Sequence, residues 1–256
     1  MQHLFHHDGE LALAAALQLR PLLAFDFDGT LAPIVARPDD ARISQAVAAR
    51  LRALSAQLPL AIVTGRTVND VRGRLGFEPR FIVGNHGAED PQDSAAAAGL
   101  ARVLDPLRLQ LRSSHEALSA AGVTVEDKGA SIALHYRLAR DRSRALQLIT
   151  DALAPADAAW HVFGGKMVVN VCPADAPDKA RAVHKLVARC GAACAVFAGD
   201  DVNDEPVFVS APPHWLTIRI GRGEGHSRAR FFLDSPSEMA MLLERMLALL
   251  PLEDKA

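Results

Sequence analysis

The stretch LLAFDFDGTLAPI, residues 22–34, decides the fold. Leu22, Leu23, Ala24 and Phe25 make an apolar run without polar alternation, the pattern of a strand buried on both faces. Two carboxylates, Asp26 and Asp28, follow at once, and then Gly29 and Thr30. A charge at the end of a buried strand is costly unless something pairs with it. Either a cation sits there, or the carboxylates are used chemically, or both.

Outward from this stretch, the spacing predicts strands at 22–27, 60–63 and 81–84. These alternate with helices at 44–57 and 67–75, after a short Ala/Leu helix at 10–19. Strand–helix alternation indicates a parallel sheet with helices on its faces. The texture then changes. A long helix is expected over 95–120, strands at 123–127 and 131–137 joined by Lys128-Gly129, a helix at 140–153, and strands at 160–163 and 166–171 joined by Gly164-Gly165. Helix–hairpin–helix–hairpin is an α+β pattern with antiparallel pairing. Beyond 173–177 the alternation returns: helix 178–190, strand 195–198, short helix 205–210, strand 216–220 and a last helix at 237–249. The fold class read from this is α/β, a doubly wound parallel-sheet core of residues 1–92 and 176–256, with an inserted α+β unit at 93–175. Ligands of such sheets bind at the carboxyl ends of the strands, so the insert is expected to act as a lid.

Composition narrows the class. The chain has 256 residues, 50% of them hydrophobic, with 28 Lys+Arg against 30 Asp+Glu and a net charge of −2. That is enough chain for one sizeable core plus a smaller unit, and the charge balance argues against a nucleic-acid partner. Cys172, Cys190 and Cys194 have neither zinc-site spacing nor a paired framework; they read as buried thiols in a reducing, cytoplasmic setting. No secretory leader is expected in MQHLFHHDGE, and no uncharged apolar run reaches the ~18 residues of a membrane span. His3, His6 and His7 are expected on a fraying terminus.

Three polar clusters sit directly after apolar strands: 26–30, Thr64-Gly65-Arg66 after AIV, and Gly199-Asp200-Asp201-Val202-Asn203-Asp204 after AVFA. In a parallel sheet all three share one edge. Lys179 opens the helix after the insert. Asp26, Asp28, Asp200 and Asp204 offer oxygen ligands only, a hard set that suits Mg²⁺, and Lys179 relieves their mutual repulsion. An Asp carboxylate can attack phosphorus to form an aspartyl-phosphate. Thr64 and nearby backbone N–H groups can hold the phosphoryl group, and a second carboxylate two residues on can protonate the leaving oxygen and then activate water. Singly, Asp-x-Asp, Gly-Asp-Asp and Thr-Gly are turn or cap signals; Asp178-Lys179 alone reads as an N-cap and a surface lysine. Their shared order and placement point to chemistry.

DFDGTLAPI, TGR, Lys179 and GDDVNDE resemble the four motifs of the haloacid dehalogenase-like phosphatase superfamily. The resemblance implies Asp26 as nucleophile, Asp28 as general acid/base, and Mg²⁺ held by Asp26, the Asp28 carbonyl and Asp200, with Asp204 nearby through water. GNHGAE (84–89), EDKGAS (126–131), HYR (135–137) and GKMVV (165–169) are similar to trehalose-6-phosphate phosphatases. That family carries a cap domain which closes over the disaccharide. It implies Glu126 and Lys128 at sugar hydroxyls, with Gly65, Arg66, His86 and Ser131 near the substrate, and a trehalose-phosphate synthase as functional partner. Without the family, Glu126 and Lys128 are two residues sharing one strand face. Two positions depart from the pattern. Asn170 stands where the family has a Glu that binds glucose, and Asn carries no charge. Ala180 follows Lys179 in place of Gly.

The function expected is Mg²⁺-dependent hydrolysis of trehalose 6-phosphate. Asn170 keeps open another sugar phosphate of the sucrose-, glucosylglycerol- or mannosylglycerate-phosphate type. A phosphoacceptor signalling module shares the acidic cluster, Thr, Lys and Mg²⁺, but has no counterpart of Asp28 or of the insert. A catalytically silent partner of a synthase is opposed by the intact motifs.

Overall fold

A computed structural model describes residues 1–35, 37–154, 158–222 and 226–250. In chain order the elements are β1 (Gln2–His3), α1 (His7–Gln18), β2 (Leu22–Phe25), α2 (Gln45–Ser55), β3 (Leu60–Val63), α3 (Val68–Leu75) and β4 (Phe81–Val83). Then come α4 (Ser94–Val103), α5 (Asp105–Ser113), α6 (His115–Ala120), β5 (Thr124–Asp127), β6 (Ile132–His135), α7 (Arg142–Ala152), β7 (Trp160–Gly165) and β8 (Val168–Pro173). The chain finishes with α8 (Lys179–Cys190), β9 (Ala195–Gly199), α9 (Glu205–Ser210), β10 (Leu216–Ile220), β11 (Phe231–Leu233) and α10 (Met239–Leu249). It forms two compact units, 1–87 with 178–256, and 88–177.

In the first unit seven strands pair in the order β1-β11-β10-β9-β2-β3-β4, all parallel. Side chains alternate between the two faces. Leu23, Phe25, Leu60, Ile62, Val196 and Ala198 join a core with α1, α2, α3 and α10. Leu22, Ala24, Ala61, Val63, Ala195 and Phe197 join another with α8 and α9. Burial on both faces is why these strands read as unbroken apolar runs. Each fully buried Leu or Phe contributes about 1.5–3 kcal/mol. The register sets Phe25 between Ile62 and Ala198, so Asp26, Thr64 and Asp200 leave their strands at one edge.

The second unit is a four-stranded sheet, β5-β6-β8-β7, antiparallel throughout. Val125, Ile132, Leu134, Val169 and Val171 pack with α5, α6 and α7 in a core of their own. The register runs Glu126, Ala133, Asn170, Phe163 straight across the sheet. Because faces alternate, this row lies on the side away from that core.

Four expectations are corrected. The helix over 95–120 is three helices, broken at Leu104 and Ser114; Pro106 sits in the first turn of α5, where its missing N–H is tolerated and a continuous helix is not. Gly164-Gly165 belongs to β7, and the turn is Lys166-Met167, with Met167 at φ 63°. The terminus does not fray: β1 pairs with β11, and His3 Nε2 lies 3.2 Å from Glu238 Oε2. The Phe5 N–H donates to His3 Nδ1 at 3.2 Å, and Asp234 Oδ2 stands 3.8 Å from Nε2 on the other side of the ring. The cysteines are free thiols, but only Cys194 is buried; Cys172 and Cys190 are half-buried. Among the described residues, no helix is long and apolar enough to cross a membrane.

Candidate active site

The loop after β2 turns back on itself: Leu31 and Ala32 N–H donate to the Phe27 carbonyl and Gly29 N–H to that of Ala32, at 3.0, 2.9 and 2.7 Å. Gly29 takes φ +82°, and a Cβ there would lie 2.0 Å from Asp200 Oδ2. Glycine is therefore required twice, for its backbone angle and for the approach of a carboxylate. Asp200 comes from the end of β9. The Asp204 carboxylate is turned back onto that loop and accepts the Asp200 and Asp201 N–H groups at 2.9 Å each. A Cβ on Gly199 would meet its Cγ at 2.3 Å.

Asp26, Asp200 and Asp204, all buried, each bring a carboxylate oxygen within 4.8 Å of the others. Lys179 is the first residue of α8, which Asp178 caps by accepting the Arg181 N–H. Its Nζ donates to Asp26 Oδ1 and Asp204 Oδ1, both at 2.7 Å. Burial works against the Lys179 charge, but Asp204 and Asp26 outweigh it and raise its proton affinity, so it remains an ammonium. Burial raises Asp26 well above the carboxylate range; Asp204 and Asp200 add to this and Lys179 opposes it. A cation bound among them would let Asp26 give up its proton, and three carboxylates against one ammonium then carry two net negative charges, the charge of one divalent cation. The donors are oxygen only and close together, which fits Mg²⁺.

Thr64 is fully buried at the end of β3. Its Oγ1 accepts the Arg66 N–H at 3.2 Å, which leaves its own proton to donate. The turn at 84–87 is knitted to it: His86 N–H donates to the Thr64 carbonyl and Asn85 N–H to that of Arg66, both at 2.9 Å. Asn85 and His86 take positive φ, 49° and 58°. Gly65 admits the His86 ring, since a Cβ there would touch Cε1 at 2.3 Å. The Asp28 side chain does not join the carboxylate trio. Its Oδ2 and Oδ1 accept from Arg66 Nε and Nη2 at 2.7 and 2.8 Å.

The remaining sequence-derived candidates lie in the second unit. Glu126 Oε2 is 2.8 Å from His135 Nε2 and 3.7 Å from Lys128 Nζ. Asn170 shares the row of Glu126, and Ser131 is buried. His135 lies in the HYR stretch, and its partnership with Glu126 follows from the hairpin register, which sets Thr124 opposite His135 and Glu126 opposite Ala133 on one face. Asp70, which accepts from both Arg66 and Arg74, and Arg74 itself are absent from the sequence-derived candidates. Their only sequence signal is the spacing of four along α3.

Sheet and site together define a haloacid dehalogenase-like hydrolase fold, shared with a haloacid dehalogenase-like hydrolase from Bacteroides thetaiotaomicron at a TM-score of 0.62 and 16% identity, over 88% of this chain and 99% of that one. The C-terminal domain of C. albicans trehalose-6-phosphate phosphatase superposes with a TM-score of 0.77 at 21% identity, over 94% and 96%. The chain belongs to the trehalose-phosphatase family, whose model matches residues 24–237. The trehalose-phosphate phosphatase of Mycobacterium marinum is 34% identical over 243 residues, 89% of this chain and 61% of that protein. This chain thus spans about three-fifths of that relative's length.

Proposed function

We propose that this chain hydrolyses trehalose 6-phosphate to trehalose and phosphate, with Mg²⁺, through an aspartyl-phosphate on Asp26. The observation that carries the reading is the convergence of Asp26, Asp200 and Asp204 on Lys179 at one sheet edge; family membership supports the substrate. Asp26 attacks phosphorus, an Asp26 oxygen–phosphorus bond forms, and the bond from phosphorus to the sugar oxygen breaks while Asp28 gives that oxygen its proton. Water then attacks the aspartyl-phosphate, Asp28 takes its proton, and Asp26 is released. Lys179 holds Asp26 in place, and the Thr64 hydroxyl donates to a phosphoryl oxygen. Mg²⁺ would be held by Asp26, the Asp28 carbonyl and Asp200, with Asp204 nearby through water, and would supply neutralisation of the phosphoryl charge. Glu126, Lys128, Ser131 and Asn170 are the proposed sugar contacts, with Gly65, Arg66 and His86, and the 93–175 insert is the proposed lid.

The test is phosphate release from trehalose 6-phosphate with and without Mg²⁺. Wild type is expected to turn over only with Mg²⁺, and Asp26→Asn to fall about a thousandfold or more. Asn170 favours a second reading, another sugar phosphate. Comparable kcat/KM on sucrose 6-phosphate, undiminished in Asn170→Glu, would replace trehalose 6-phosphate as the substrate while leaving the chemistry in place.

A further inference from the structure

Arg66 is held from several sides. Beyond its fork on Asp28, its Nη1 donates to Asp70 Oδ2 at 2.7 Å and its Nη2 to the Pro38 carbonyl at 2.9 Å. The guanidinium lies 5.4 Å from the centroid of the Phe27 ring. Asp70 is pinned in turn, its Oδ1 accepting from Arg74 Nε at 2.9 Å and also from Arg74 Nη2. Arg74 Nη1 then reaches the carbonyls of Pro38 and Asp39 at 3.2 and 2.8 Å.

The result is an alternating chain of charge, Asp28–Arg66–Asp70–Arg74, whose near end is the acid–base candidate and whose far end is anchored in backbone. Rows of ions at spacing four on an exposed helix contribute little. Here the two arginine side chains are only 11% and 8% exposed, against 37% and 35% for Asp28 and Asp70, so the guanidiniums are packed in place while the carboxylates keep some contact with water. A guanidinium with one carboxylate partner can pivot. With a second carboxylate on its other edge and a fixed carbonyl beside it, only one orientation satisfies all three.

We infer that Asp70, backed by Arg74, is a positioning residue for the acid–base step: it fixes the Arg66 fork, and the fork fixes where the Asp28 carboxylate stands. The inference rests on the phosphatase reading above. In that step Asp28 carries the proton it took from water in the previous turnover, the oxygen that bears it having given up its Arg66 hydrogen bond while the other keeps its own. The proton passes to the sugar oxygen as that oxygen's bond to phosphorus breaks and the Asp26 oxygen bonds phosphorus. Proton transfer is sensitive to small displacements. A nitrophenolate leaves as the anion and does not need the proton.

The test compares kcat/KM for trehalose 6-phosphate and for p-nitrophenyl phosphate in Mg²⁺. This parameter covers events up to phosphoryl transfer to Asp26 and excludes hydrolysis of the intermediate. Asp70→Asn keeps an oxygen for the buried Arg74 and turns an NH₂ toward Arg66. It is expected to lower kcat/KM for the sugar phosphate about tenfold or more, mainly through kcat, while the aryl phosphate changes less than about threefold. Equal losses on both substrates, or none on either, overturn the inference. If Asp70→Asn does not fold, Arg74→Lys keeps the buried charge but gives up the fork on Asp70, and the same selective loss is required of it. Wild type inactive on both substrates defeats the phosphatase reading itself, whereas an active wild type with unselective variants defeats only the role of Asp70.

Discussion

Lys179 is the residue on which the carboxylate trio balances. Removing one partner of a buried ionic group costs more than the group contributes intact, because the remaining charges stay desolvated. Lys179→Met keeps the length and removes the charge. It is expected to lose turnover and about 3–5 kcal/mol of stability in metal-free buffer, read from denaturant midpoints; an unchanged midpoint would contradict the pairing. Asp70 gives a pH signature. Burial raises its proton affinity, but the hydrogen bonds from Arg74 and Arg66 more than offset this and hold it below its ordinary 3.8. Its folded value is therefore below its unfolded one, so its contribution is complete above 3.8 and is lost as pH falls through the folded value. The stability gap between wild type and Asp70→Asn is expected to be widest at neutral pH and to close in acid; a gap that widens on acidification would refute it. Asp26, Thr64 and Asp200 were legible because each closely follows an apolar strand run, whereas Lys179, after Asp178 at a helix start, stood out only by its place after the insert and by the family resemblance. Asp70 and Arg74 were not legible, because an i,i+4 ion pair is written identically on a buried and on an exposed helix face.

At the level of elements, legibility followed burial. β2, β3 and β9 are buried on both faces and so spelled as apolar runs, and every motif placed at their ends came to one edge. β1 is two residues long and is specified by its remote partner in β11, which no local pattern announces. Gly164-Gly165 misled because glycine also serves inside a strand, whereas Met167 takes the left-handed angle that a turn residue would suggest. The β2 loop shows what an element can demand of one residue. Alanine at 29 meets both a left-handed φ, which costs about 1–2 kcal/mol, and the Asp200 carboxylate. Gly76 is the control: it caps α3 at φ +66° with nothing near a Cβ. Gly29→Ala and Gly76→Ala should lose similar backbone stability, but only Gly29→Ala should require a higher Mg²⁺ concentration for half-maximal activity. Equal Mg²⁺ requirements in the two variants would detach Gly29 from the metal-binding arrangement.

For the whole molecule, the two units keep separate accounts. Each has its own core and sheet, and the carboxylate trio lies entirely in the first. A ligand stabilises only what it binds, by RT ln(1 + [L]/Kd), about 2.7 kcal/mol at a hundred times Kd. On the proposed function, Mg²⁺ would bind where β2 and β9 end and favour the ionised trio, so the opening free energy of that sheet is expected to rise. Hydrogen exchange should therefore slow at the amides of β2, β3 and β9 when Mg²⁺ is added, most of all at Asp26, Asp200 and Asp201, whose N–H groups hold the site loops. The amides of β5, β6 and β8 should exchange at an unchanged rate. Asp200→Asn removes one charge and one strong ligand, and is expected to abolish most of the Mg²⁺ effect while slowing exchange in metal-free buffer, since it lessens the repulsion that the cation relieves. Protection that rises equally in both sheets, or that survives in Asp200→Asn, would mean that the ion binds elsewhere and that the trio is not its site.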